Sequence, residues 1–160
     1  NLKIDGFYQF DFKKAGLVTL GASFRGQSGI AHNTLGSHWA YGLDESYLLP
    51  RGSTNRSPFT WQTDVKATYG RRIGKTQSVD VFVDVFNLFN NQEELDSDER
   101  YTRSNANPIV GGTPDDLKHA KTLDTNGLET NSTPIVNLNY GNLNARQAPL
   151  SMRFGLRYTF

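Results

Sequence analysis

The segment from Leu150 to Phe160 places an apolar side chain at every second position. A strand with this period turns one row of side chains to each face of a sheet. One row is apolar throughout, whereas the other holds two arginines, which a strand inside a soluble core seldom contains. The apolar row is Leu150, Met152, Phe154, Leu156, Tyr158 and Phe160, and the alternate row is Ser151, Arg153, Gly155, Arg157 and Thr159. The pattern therefore predicts a strand with one face in lipid and one in water.

Four more segments alternate in the same way, so the sequence predicts an all-β fold, a segment of a transmembrane antiparallel β-barrel. The five predicted strands cover residues 2–13, 17–27, 59–73, 77–88 and 149–160. Short turns near Lys14 and Gly74 join two pairs of strands, and two long segments, 28–57 and 89–148, are rich in Gly, Ser, Asn and Pro. Outer-membrane barrels combine short periplasmic turns with long extracellular loops, so both long segments are expected to be extracellular loops.

Composition and charge limit the classes of protein to which the chain can belong. The chain has 36% apolar residues and a net charge of +1, values that a soluble domain also shows. It contains no apolar run near the 18 or so residues of a membrane helix, so a bilayer would be crossed by strands. The absence of cysteine excludes disulfides and thiolate metal sites, and the near-neutral charge argues against a nucleic-acid partner.

Five strands cannot close a barrel, because both sheet edges would expose unpaired backbone groups to lipid. Bacterial single-chain barrels have an even number of strands, eight or more. The sequence starts at Asn1 without an initiator methionine or a leader. We therefore expect the chain to begin within a longer protein whose other strands pair with these edges.

Charged residues on the polar faces of three strands are expected to pair. If the hairpin turns near Gly74, paired residue numbers sum to about 150, which places Lys66 opposite Asp84. The last strand then brings Arg153 near Asp84 and Arg157 near Asp80. The result is a predicted ladder of opposite charges on the lumen face. It either grips a plug or guides solute, or it only pairs the strands of a polar interior.

The two long segments contain candidate ligand-binding residues. The acidic stretch Glu93, Glu94, Asp96, Asp98 and Glu99 suits either a calcium ion or a solvated surface loop, and we favour the loop. His32, His38 and His119 lack metal-ligand spacing and are expected to be exposed. Loop aromatics can bind sugars or flat ligands, or pack over a barrel mouth. These aromatics are Trp39, Tyr41, Tyr47 and Tyr101. No catalytic residue, metal or cofactor is predicted.

Two phrases resemble the C-terminal end of TonB-dependent outer-membrane receptors: VDVFVDVFNLFNNQ at 79–92 and RQAPLSMRFGLRYTF at 146–160. The first matches a D-x-x-N-L-F-N pattern through Asp84, Asn87, Leu88, Phe89 and Asn90. The second matches R-x-G-x-R-x-x-F through Arg153, Gly155, Arg157 and Phe160. Further phrases, GFYQFDFKKAG at 6–16, LLPRGS at 48–53, IVGGTPDDL at 109–117 and NYGN at 139–142, are similar to the Oar-like branch.

The resemblance implies a 22-stranded barrel with an N-terminal plug, of which these residues supply five strands and no plug. It implies transport of an unidentified substrate across the outer membrane, with no enzymatic activity. The implied partners are the rest of the barrel and its plug, the TonB complex through the missing N-terminal part, the barrel assembly machinery and outer-membrane lipid.

The resemblance also assigns roles to particular residues. It makes the end of the last strand an assembly signal formed by Met152, Phe154, Leu156, Tyr158 and Phe160. Phe82 and Phe86, which interrupt the polar face, are then expected to pack against the plug or the inner ends of loops. Two alternatives stay open at this point. One is a passive porin-like channel or oligomeric pore, and the other is a soluble β-rich sugar-binding module.

Overall fold

The computed structural model describes all 160 residues, and its regular structure is almost entirely β-strand, as predicted. Its helical segments are two short 3₁₀ turns, and neither has the length and apolar character needed to span a bilayer. The chain divides into two compact units. Unit 1 comprises Asn1–Ser28, Phe59–Glu93 and Gln147–Phe160, and unit 2 comprises Gly29–Pro58 and Glu94–Arg146.

Unit 1 is one antiparallel sheet of five long strands. They are β1 (Leu2–Asp11), β2 (Leu17–Gln27), β5 (Thr60–Arg72), β6 (Ser78–Phe86) and β10 (Ser151–Thr159). Their order across the sheet is β1-β2-β5-β6-β10, with every neighbouring pair antiparallel. Each strand starts and ends within about two residues of the range that its alternating pattern predicts, because side chains on a strand change face at every residue.

The register of unit 1 joins the apolar rows of all five strands into one surface, here called the apolar face. One row across the sheet is Gly6, Ala22, Val65, Val85 and Met152, and the next is Tyr8, Leu20, Ala67, Val83 and Phe154. The side chains of this surface are largely uncovered, with Phe154 75% exposed. A continuous exposed apolar surface of this kind needs a non-aqueous neighbour.

The turn between β1 and β2 is tight and depends on glycine. A 3₁₀ turn at Lys13–Ala15 is followed by Gly16, which has a φ of 116°. A Cβ atom at Gly16 would lie 2.7 Å from the carbonyl oxygen of Gly70, so only glycine fits without displacing the backbone of β5. The Tyr69 hydroxyl donates a hydrogen bond of 2.6 Å to the Ala15 carbonyl and fixes the turn against β5.

Unit 2 contains five short strands in the segments for which the sequence predicts only loops. A three-stranded sheet has the order β4 (Gly42–Tyr47), β3 (Leu35–His38), β8 (Arg100–Asn105), and β7 (Glu94–Ser97) pairs with β9 (Leu143–Arg146). Periodicity misses them because they have four to six residues each and their registers shift at irregularities. A 3₁₀ turn at Pro114–His119 starts with a capping box between Thr113 and Asp116.

The core of unit 2 is small. It consists of Leu48, Leu49, Ala106 and Leu117, with Tyr101 and Ile109 packed against it. Buried hydroxyls extend it: Thr102 donates to the Ile135 carbonyl at 2.7 Å, and Ser37 donates to the Arg103 carbonyl at 2.8 Å. Because each buried hydroxyl has a partner, this unit stays compact although it buries few apolar side chains.

Candidate functional site

The polar face of unit 1 contains three ion pairs among the residues for which the register predicts a ladder. Lys66 Nζ lies 3.4 Å from Asp84 Oδ1, and Arg153 donates to Asp84 Oδ2 at 2.9 and 2.6 Å. Arg157 donates to Asp80 Oδ2 at 2.9 and 2.7 Å. Lys66, Asp84 and Arg153 stand directly opposite one another on β5, β6 and β10. That this face lines a barrel lumen stays a prediction.

The two phenylalanines on the polar face have partners within the sheet. Phe82 lies over Gly155, its neighbour on β10, where any Cβ atom would collide with the ring. Lys66 Nζ is 4.9 Å from the centre of the Phe82 ring, and the Arg153 guanidinium carbon is 5.6 Å from that of Phe86. Aromatic rings therefore support the cations of the ladder. That these rings also pack against a plug or the inner ends of loops stays a prediction.

Asn87, from the N-L-F-N phrase, makes three hydrogen bonds through its side chain. It is 2% exposed and has a φ of 52°, a left-handed conformation that asparagine tolerates better than most residues. Its backbone N–H donates to Asp64 Oδ1 at 2.9 Å. Its amide nitrogen donates to the carbonyls of Asn91 and Ala148 at 2.8 and 2.7 Å, and its amide oxygen accepts from the Asn91 N–H at 3.0 Å.

Neighbouring amides complete this arrangement, and we call Asn87, Asn90, Asn91 and Gln147 the amide clasp. Asn91 Nδ2 and Gln147 Nε2 both donate to the Trp61 carbonyl, at 3.2 and 3.0 Å. The Leu150 N–H donates to Asn90 Oδ1 at 3.0 Å. The clasp thereby connects the end of β6 with the starts of β5 and β10. Sequence reasoning used these asparagines only as family markers, although adjacent amides at a strand end signal such bonding.

In unit 2 an ion pair absent from the sequence prediction joins the outer strands of the small sheet. Arg100 on β8 donates to both carboxylate oxygens of Asp44 on β4, with Nε 2.5 Å from Oδ1. This hydrogen bond holds the pKa of Asp44 below its usual value, and the same bond raises the pKa of Arg100. Bidentate geometry makes this pair more specific than an ordinary surface ion pair.

Two carboxylates of the acidic stretch, those of Asp98 and Glu99, are bonded within the protein. Glu99 accepts from the backbone and side-chain N–H groups of Asn33, both at 3.0 Å, and lies 3.4 Å from His32 Nδ1. Asp98 accepts from the Arg100 N–H at 2.9 Å and from Asn137 Nδ2 at 3.0 Å. No group of three or more His, Asp and Glu side chains is arranged to hold a metal ion. A polar cleft of about 640 Å³ lies beside His32 and Glu99.

The four loop aromatics singled out from the sequence lie in three different settings. Trp39 and Tyr41 both stack on His38 at the β3–β4 turn, with ring centres 5.7 and 4.6 Å from the imidazole. The Tyr47 ring lies 4.2 Å beneath the Arg51 guanidinium. Tyr101 meets Tyr140 edge to face at 5.2 Å beside the core. Only Trp39 and Tyr41 are therefore brought together.

A long-stranded antiparallel sheet with one apolar face and one charged face defines the class, the wall of an outer-membrane β-barrel. Over 166 aligned positions, 99% of the chain, it is 39% identical to the TonB-dependent transporter Oar of Myxococcus xanthus. The chain belongs to the TonB-dependent outer-membrane receptors as a C-terminal segment of such a protein. It spans 16% of the length of that relative. No family model and no solved structure matches.

Proposed function

We propose that the chain is part of a TonB-dependent transporter that moves a substrate across the outer membrane. Unit 1 supplies five strands of a 22-stranded barrel, with the apolar face toward lipid and the charge ladder toward the lumen. Unit 2 supplies extracellular loops. The observation that carries the proposal is the apolar face, which is continuous over five strands and lies opposite the ion pairs of Asp80 and Asp84.

The proposed partners follow from the edges of the sheet. β1 and β10 each have a neighbour on one side only. In hydrocarbon each unpaired backbone group costs several kcal/mol, so the remaining strands of the barrel must pair with both edges. A plug domain inside that barrel, the TonB complex that contacts the missing N-terminal part, the barrel assembly machinery and outer-membrane lipid complete the set. Similarity to a TonB-dependent transporter supports the plug domain and the TonB complex as partners.

Mass mapping of the intact polypeptide tests this proposal. An outer-membrane preparation is separated with and without boiling, and the band that contains the peptide 146–160 is digested. We expect a heat-modifiable band several times larger than 17.9 kDa that also yields peptides of a plug domain. A band near 17.9 kDa without plug peptides would contradict the transporter assignment.

The facing of the sheet can be measured separately, because this chain contains no cysteine. Val83→Cys places a thiol on the apolar face, and Thr68→Cys places one on the polar face of the adjacent strand. In outer-membrane vesicles, a lipid-soluble maleimide should label the first position and a small water-soluble maleimide the second. Equal labelling of both positions by the water-soluble reagent would refute the assigned facing.

The row Met152, Phe154, Leu156, Tyr158 and Phe160 is proposed as the assembly signal. All five side chains are exposed, and Phe160 makes one ring contact, stacking on Tyr158 at 6.1 Å. Deleting Phe160 should therefore lower the amount of folded barrel in the outer membrane without altering unit 2. The measurement is the heat-modifiable fraction on a gel, and Phe160→Tyr is the conservative control. Normal yield after the deletion would remove this role.

A further inference from the structure

We propose that the exposed aromatic stack at the β3–β4 turn, formed by His38, Trp39 and Tyr41, binds the ring of a neutral sugar. The site lies wholly within unit 2, and its position outside the cell rests on the proposed function. The Trp39 and Tyr41 rings each stack on the imidazole, and their planes are inclined by 26° and 27° to it. Tyr41 is 79% exposed and Trp39 is 47% exposed, so the stack offers open ring surface to a ligand.

The turn fixes the imidazole at the centre of the stack. His38 Nδ1 accepts hydrogen bonds from the backbone N–H groups of Ala40 and Tyr41, at 3.1 and 3.3 Å. A nitrogen that accepts from two donors carries no proton, so the ring proton of His38 is on Nε2. The histidine is thus oriented by the backbone of its own turn, and Nε2–H is a hydrogen-bond donor beside two aromatic rings.

A second turn, which contains Gly127, packs against Trp39 of the stack. Gly127 has a φ of 82°, and a Cβ atom there would lie 2.7 Å from Trp39 Cε2 and Nε1. Asp124 holds that turn through its Oδ1 atom, which accepts from the N–H groups of Asn126 and Leu128 at 2.8 Å each. Trp39 therefore rests on a glycine surface that no larger residue could provide. Preorganised rings lose little freedom on binding, which favours affinity.

The chemistry of the stack selects a neutral sugar. Sugar rings with equatorial hydroxyls present a flat face of C–H groups that packs on an aromatic ring, while the hydroxyls at their edge take hydrogen bonds. The Tyr41 hydroxyl and His38 Nε2–H are suitable partners. The carboxylate nearest in sequence, Asp44, is already paired with Arg100. An uncharged aromatic site of this kind has no group that would select an anionic ligand.

Titration of the full-length receptor in detergent with cellohexaose tests the inference. The readouts are isothermal titration calorimetry and Trp fluorescence, with maltohexaose and chitohexaose as second and third probes. We expect saturable binding of at least one probe, weakened about tenfold by Tyr41→Ala, since an aromatic contact contributes about 1 kcal/mol. Tyr41→Phe should retain most of the affinity because it keeps the ring.

Two further variants distinguish the loss of ring contacts from a change in the fold of the turn. His38→Asn keeps an oxygen that can accept from the turn N–H groups but removes the central ring, so binding should fall while the turn remains. Leu43→Ala changes an exposed neighbour outside the stack and should leave affinity unchanged. Equal amide-exchange protection of residues 35–47 in all variants would establish that the fold is retained.

Three outcomes would overturn the inference: no saturable binding of any of the three hexasaccharides, unchanged affinity in Tyr41→Ala, or competition by tetramethylammonium, which would indicate a cation site instead. Because binding is measured in detergent without TonB, these results do not bear on transport. Failure of the mass-mapping test would conversely leave a measured sugar affinity intact, so the two proposals can fail separately.

Discussion

The two units of this chain are both built from β-strands, yet they are held together in different ways. Unit 1 has strands of 9 to 13 residues with unbroken hydrogen-bonded registers, and Val85 is its one buried hydrophobic side chain. Unit 2 has strands of four to six residues and contains the other buried hydrophobic residues, together with a set of bonded hydroxyls. Regular backbone pairing organises the first, and side-chain contacts organise the second.

The comparison leads us to expect a different source of stability for each unit. If the apolar face lies toward lipid, as proposed, an apolar side chain in unit 1 gains little from its neighbours and depends on the hydrocarbon around the barrel. An apolar side chain in the unit 2 core gains from removal of water within the protein itself. The same kind of substitution should therefore act locally in unit 2 but through the membrane in unit 1.

Leu48→Ala should give the largest effect. Leu48 is fully buried, and truncating a buried leucine costs about 2 to 5 kcal/mol. Hydrogen exchange of the intact receptor should show lost protection in β3, β4 and β8 and unchanged protection in the strands of unit 1. Leu138→Ala, at a residue that is 95% exposed, is the matched control and should change nothing. Loss of protection throughout unit 1 would show that the two units unfold together.

Val83→Arg tests the apolar face, and the expected loss of stability is similar in size to that of Leu48→Ala. If Val83 faces lipid at the midplane, as proposed, an arginine there costs about 2 to 4 kcal/mol, so barrel yield and resistance to heat denaturation should both fall. Thr68→Arg, on the polar face of the neighbouring strand, should be tolerated because that face already contains Lys66 and Arg153. If both variants behave alike in a heat-modifiability assay, the contrast between the two faces is wrong.

Asn87→Ala measures how much side-chain hydrogen bonds contribute to the stability of unit 1. It removes both amide donors and the acceptor of a buried residue and places alanine at positive φ. An unmade buried hydrogen bond costs roughly 1 to 3 kcal/mol, and we expect a loss in that range. The readout is the urea midpoint of the barrel in detergent.

The controls for this variant separate bonding from backbone strain. Asn87→Gly relieves the φ penalty, so it should recover part of the loss while leaving the bonds unmade. Asn126→Ala, at an exposed asparagine, should leave the midpoint unchanged. An Asn87→Ala midpoint equal to the unaltered protein would show that the clasp is dispensable.

The same difference between the two units explains which parts of the fold can be predicted from the sequence. A long strand repeats one rule at every residue, so periodicity locates the five strands of unit 1, and a hairpin turn near Gly74 places Lys66 opposite Asp84. The bonds of Asn87 depend on Ala148, which is distant in sequence, and no periodic pattern encodes them.

Unit 2 is less accessible to sequence reasoning for a related reason. Its strands are too short for an alternating pattern, and its contacts join segments far apart in the chain. The Asp44–Arg100 pair and the bonds from Asn33 to Glu99 have no local signal. The stack at Trp39 and Tyr41 is an intermediate case, since the residues are adjacent in sequence but Gly127, which supports Trp39, is not.

The smallest expected effect is the acid sensitivity of unit 2. The pKa of Asp44 is lowered by its hydrogen bond from Arg100, so the stabilisation from this pair is complete above the ordinary value of 3.8 and is lost as pH falls through the folded pKa below it. Amide exchange in β4 and β8, corrected for intrinsic rates, should rise as the pH falls below 3.8.

Asp44→Asn identifies the carboxylate responsible for this sensitivity. The variant should be less protected at neutral pH and should change less on acidification, because asparagine has no proton to gain. Asp116 and Asp124 also have lowered pKa values, owing to hydrogen bonds from Thr113 and from the Leu128 and Asn126 amides. Their contribution survives in Asp44→Asn, so the difference between the two acid profiles reports Asp44 alone. Identical profiles would mean that the Arg100 pair adds nothing to the stability of unit 2.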